Sequence, residues 1–80
     1  MEDSTVLSRI DELVAEEHAI LGREGSGHAK DDDHQRLRAV QTTLDQCWDL
    51  LRQRRALRET GNDPGLARTR SEATVERYEQ

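Results

Sequence analysis

The chain has 80 residues, of which 36% are charged and only 32% hydrophobic, with a mean hydropathy of −1.00 and a net charge of −5. A chain this short makes one domain, 1–80, that buries only about 60% of the surface its unfolded form exposes, so its own core leaves it marginally stable. The single cysteine excludes an internal disulfide, and no apolar run is long enough for a secretory leader or a membrane span, which predicts a cytoplasmic protein with no membrane partner.

The first element is predicted as a helix over about 4–21. Val6, Leu7, Ile10, Leu13, Val14, Ile20 and Leu21 recur at three- and four-residue intervals and so share one helical face, with Glu17 where that face expects an apolar residue. Asp3 or Ser4 is expected to cap its start and Gly22 to sit just past its end, ahead of a flexible Gly-Arg-Glu-Gly-Ser-Gly connection.

The second helix is predicted over about 32–60, opened by Asp31, Asp32 and Asp33, whose carboxylates suit the positive end of a helix dipole. Its apolar face is Leu37, Val40, Leu44, Cys47, Trp48 and Leu51, continued by Arg54, Arg55 and Arg58, with Leu50 and Leu57 alongside. Trp48 is expected to fill the gap between helices, and Cys47 to act as a small hydrophobe. Thr60-Gly61-Asn62-Asp63-Pro64 ends the helix.

These lengths give antiparallel helices of roughly 27 and 43 Å, so the second is expected to overhang the first from about Asp49 onward. Leu50, Leu51 and Leu57 then need another surface, either the tail 64–80, with Leu66, Val75 and Tyr78, or a second copy of the chain. Within the tail, Ser71 can cap a short helix over about 72–78, and an extended strap is the alternative.

Charge is divided between the elements. Residues 1–34 carry ten acids against three bases, residues 35–60 six bases against three acids, and residues 61–80 three bases against four acids. The acidic first helix offers partners to the arginines of the second, which also suit the negative end of their own helix. Anion or nucleic-acid binding by Arg52, Arg54, Arg55 and Arg58 with Arg36, Arg38, Arg68 and Arg70 is the weaker reading, because the protein is acidic and no aromatic platform accompanies them. His18, His28 and His34 with the neighbouring acids match neither a zinc nor a calcium spacing, and no phosphate loop or paired-carboxylate arrangement appears. The sequence thus predicts no enzyme, no cofactor and no metal.

The segment LDQCWDLLRQRRALR, the Gly-Asn-Asp-Pro turn, the terminal VERYEQ and the opening IDELVAEEHAIL resemble a family of small, roughly eighty-residue uncharacterised actinobacterial proteins, a domain of unknown function. The resemblance covers nearly the whole chain and implies a cytoplasmic protein with no assigned activity. Family members often carry a proline where this chain has Ser71.

The expected fold is therefore all-α: an antiparallel helical hairpin, 1–63, with a C-terminal tail, 64–80. Two hairpins are expected to dimerise into a four-helix bundle around Ile10, Leu13, Leu37, Val40, Leu44, Trp48 and Leu51. The expected function is that of a non-enzymatic interaction or regulatory protein. Its surface would be Arg54, Arg55, Leu57, Arg58, Arg68, Arg70 and Tyr78, and weak nucleic-acid or phosphate binding through the arginine cluster is the alternative.

Overall fold

The heptad-like spacing of Val6, Ile10 and Leu13 against Val40, Leu44 and Leu50 pairs two long helices into an antiparallel hairpin in the computed structural model. The structure describes residues 2–79, with side chains through residue 75. Helix α1 spans Asp3–Gly25, α2 spans Asp31–Glu59 and α3 spans Glu72–Glu79, with one 3₁₀ turn at Pro64–Leu66 and no strand among the described residues. Val6, Leu13, Ile20 and Val40 are fully buried, as is Val75 of the tail. Each such side chain contributes roughly 1.5–3 kcal/mol relative to an exposed one.

Polar pairs along the hairpin set its register. Arg36 donates to both carboxylate oxygens of Glu16 at 2.6 and 2.8 Å, and Arg23 donates to Asp33 at 2.6 Å. His34 lies 2.9 Å from Glu24, and Gln41 donates to Glu17 at 3.4 Å, which accounts for the acid on the apolar stripe. Exposed pairs of this kind contribute little stability singly, but only one sliding position of the helices satisfies them all.

Helix α1 is longer than its periodicity predicts. Gly22 does not end it; the helix runs on to Gly25, and Gly27, with φ of 78°, takes the left-handed position. His28 N–H donates to the Arg23 carbonyl at 2.8 Å and Gly27 N–H to that of Glu24 at 3.1 Å, the two bonds of a Schellman motif. Gly61, also at φ 78°, closes α2 in the same way, with Asn62 N–H on the Leu57 carbonyl at 2.7 Å. The expected caps also differ. Asp3 is already helical and neither it nor Ser4 caps α1, while at α2 the Asp33 carboxylate accepts from Lys30 N–H at 3.1 Å.

The extra turn of α1 removes most of the expected overhang. Asp3 now reaches Arg54 and Arg58, and Leu50, expected to project, belongs to the same buried cluster as Val6. The tail covers a further flank of α2. After the 3₁₀ turn it runs back along α2 as an extended strap to Ser71, whose Oγ accepts from Thr74 N–H at 3.3 Å at the start of α3. Contacts between elements join α1, the 3₁₀ turn and α3 each to α2, so α2 is the spine.

The glycine geometry gives a direct test by thermal denaturation. Gly27→Ala and Gly61→Ala should each destabilise by about 1–2 kcal/mol, because each forces a side chain into the left-handed region. Gly22→Ala should instead stabilise by about 0.5–1 kcal/mol, since Gly22 lies inside the helix with open space around it.

Candidate functional site

Most of the arginines singled out from the sequence are engaged within the fold. Arg54 is buried, at 9% exposure; its Nε donates to Asp3 and its Nη1 to the Pro64 carbonyl at 3.3 Å. Arg58 Nη2 lies 2.9 Å from the other Asp3 oxygen. The start of α1, the end of α2 and the 3₁₀ turn are thus pinned at one point. The hydrogen bonds from Arg54, then Arg58, hold the Asp3 carboxyl below the usual carboxylate range. Arg36 does the same for Glu16, and Arg23 for Asp33.

The other predicted residues are scattered. Arg55 pairs with Glu59 at 3.0 Å in solvent, and Arg68 donates through Nη1 to the Gly65 and Ala67 carbonyls. Arg70 lies 3.4 Å from Asp49. Leu57 and Arg70 line a shallow cleft with Gln53, Ala56, Thr60 and Leu66. The side chain of Tyr78 lies outside the described residues.

Three residues that sequence reasoning passed over hold the strap. Gln53 donates to the Arg68 carbonyl at 2.7 Å and accepts from Arg68 N–H at 3.2 Å, so its side-chain amide pairs with the strap as a neighbouring strand would. Gln46 donates to the Arg70 carbonyl at 3.1 Å. Asp49, 3% exposed, accepts from Gln53 at 2.8 Å and faces Arg70. The available signal was the spacing of Gln46, Asp49 and Gln53, which sets three polar side chains on one line of α2.

Between α1, α2 and the strap lies an apolar groove of about 260 Å³, lined by Val6, Cys47 and Leu50 with Thr5, Arg9, Thr43, Gln46 and Thr69. Burial pushes the Cys47 thiol up, which disfavours the nucleophilic thiolate. Among the described residues no group of three or more His, Cys, Asp or Glu side chains is arranged to hold a metal ion.

Trp48 lies on the flank of the hairpin away from this groove. Trp48 is 45% exposed, not packed between the helices as its size and spacing suggest. The half-buried Cys47 takes the interhelical position, and Trp48, one residue on, points about 100° away. Leu7 and Leu21, 46% and 43% exposed, each follow a buried residue, Val6 and Ile20, in the same way.

Residues 2–80 match the family described as protein of unknown function (DUF2630). The chain belongs to this family. Uncharacterized proteins of Mycobacterium bovis and Mycobacterium tuberculosis are 49% identical to it over 77 residues, spanning 95% of this chain and 88% of theirs. No solved structure matches the chain. Among the described residues no helix is long and apolar enough to cross a membrane.

Two measurements follow from the electrostatics. The folded pKa values of Asp3, Glu16 and Asp33 are lowered, so their stabilisation is present above the ordinary carboxylate value of about 4 and is lost as pH falls through the folded values. The melting temperature should accordingly drop below about pH 4, and Asp3→Asn should be less stable than wild type at pH 7, with the gap closing as the pH falls. Cys47 should react with a thiol reagent more slowly than a small free thiol at pH 8, and its rate should still be climbing above pH 9.

Proposed function

We propose that this member of the family is a non-enzymatic interaction protein of the cytoplasm, working through protein–protein contacts as a homodimer. The observation that carries the reading is shape. The molecule is elongated, 50 × 25 × 16 Å, and Leu7, Leu21 and Trp48 are each more than two-fifths exposed along it. A helical domain becomes stable by burying each apolar stripe against a second layer, and among the described residues nothing covers Leu7, Leu21 and Trp48 to that extent. The radius of gyration of 14.8 Å is also well above the about 12 Å of a compact chain of this length.

The arrangement of the arginines favours this reading over nucleic-acid or phosphate binding. Arg54, Arg58 and Arg70 face carboxylates, and Arg68 is bonded to its own loop, so little of the cluster converges on an outside anion. Of the predicted interaction surface, Arg55 and the half-buried Leu57 stay on the outer end of α2 and would serve a further protein partner.

Light scattering on a sizing column tests the homodimer. A mass near twice 9.2 kDa that persists through a tenfold dilution is expected; a mass of 9.2 kDa at every concentration would contradict the proposal.

A further inference from the structure

We propose that the apolar groove between α1, α2 and the strap is a binding site for a small amphipathic monocarboxylate, its apolar part on Val6, Cys47 and Leu50 and its carboxylate on Arg9. The proposal goes beyond the homodimer reading and does not depend on it.

The groove forms where three elements meet. Val6 comes from the start of α1, while Thr43, Cys47 and Leu50 recur at three- and four-residue spacing and so share one face of α2. Thr69 of the strap closes the third side. Its place is fixed by the Gln53 and Gln46 amides, which hold the backbone of Arg68 and Arg70 on either side of it. The walls are therefore set before any ligand arrives. They are almost all carbon, so water held there would lack the polar partners it needs.

Size limits the ligand. A cavity of about 150 Å³ takes benzene, and this groove has about 260 Å³, which is room for roughly ten non-hydrogen atoms. A nucleotide or other drug-sized molecule needs upward of about 300 Å³. The cleft beside Leu57 and the one between Arg38 and Glu72 are shallower and more polar, so neither would exclude water as this one does.

Charge selects the head group. Arg9 is the single charged residue in the lining, in a chain whose net charge is −5. Its charge is felt at the groove wall: burial pushes the Cys47 thiol up, and Arg9 opposes that shift. Among the described residues Arg9 has one partner, Glu12, at a long 3.5 Å, with both side chains more than half exposed. A guanidinium carries five donors, so this contact leaves most of them for a carboxylate, which it can grip with two. The hydroxyls of Thr5 and Thr69, in the same lining, have no hydrogen-bond partner among the described residues and supply further donors. A neutral ligand would cover Arg9 without compensating its charge.

Cys47 is the only cysteine and lines the groove, so its rate of reaction with a thiol reagent reads occupancy. Full-length protein is titrated with octanoate and with octanamide, the neutral molecule of the same shape. Arg9→Gln and the control Arg55→Gln, which removes an equal charge outside the groove, are measured beside the wild type, with circular dichroism to verify the helices. Octanoate should slow Cys47 modification with a midpoint of about 0.1–1 mM, and octanamide should bind at least about tenfold more weakly. Arg9→Gln should abolish the difference between the two probes, and Arg55→Gln should keep it. No protection by octanoate at about 10 mM overturns the site. Equal protection by both probes in the wild type overturns the carboxylate head group, a comparison that needs no variant. A difference that survives Arg9→Gln overturns the assignment of Arg9.

Discussion

Everything in this structure is arranged around one helix with too little apolar surface on either side of it. Helix α2 runs for 29 residues, and α1, the 3₁₀ turn and α3 all pack on it. The chain has two other segments with which to cover this spine, α1 and a tail of about twenty residues, and each takes one flank. The tail could not do so on hydrophobic burial alone, because Val75 is the one large apolar side chain it buries among the described residues. Hydrogen bonds supply the difference. The Gln53 amide pairs with the strap backbone and Gln46 holds Arg70, so backbone groups that would otherwise need water are satisfied against the helix.

The arginine-rich end of α2 has the same structural logic. Arg54 lies among the side chains that would continue the apolar stripe, and it is tolerable there because Asp3 and the Pro64 carbonyl complete its hydrogen bonds. Removing one partner leaves a buried charge uncompensated, so the pair specifies the register of α1 on α2 more than it adds net stability. This interaction requires α1 to begin at Asp3 and to run its full length to Gly25; a helix that stopped at Gly22 would offer fewer partners to the start of α2. Arg23 with Asp33 and Glu24 with His34 are the contacts that the additional turn makes.

The hairpin was legible in the sequence because its signal is periodic. Val6, Ile10, Leu13, Val40 and Leu44 announce both helices and their facing sides, and Gly61 with Pro64 announces the end of the second. What was not legible depends on comparisons across the fold. Gly22 and Gly27 are equivalent as local stop signals, and only the cross-connection pairs decide between them. Trp48 lies next to Cys47, and either can border the core by count; size argues for Trp48, whereas the register places Cys47 inside. Leu7 and Leu21 read as part of a wide apolar face, and the part left uncovered emerges only when the tail is seen to take the other flank.

In the proposed homodimer two hairpins stack face to face. Small-angle X-ray scattering measures that arrangement directly, because stacking and end-to-end association change different dimensions. The expected particle has doubled mass, a longest dimension near 50 Å and a thickness of about twice 16 Å. A doubled mass with doubled length, or a particle of single mass with the dimensions of the isolated chain, would contradict it.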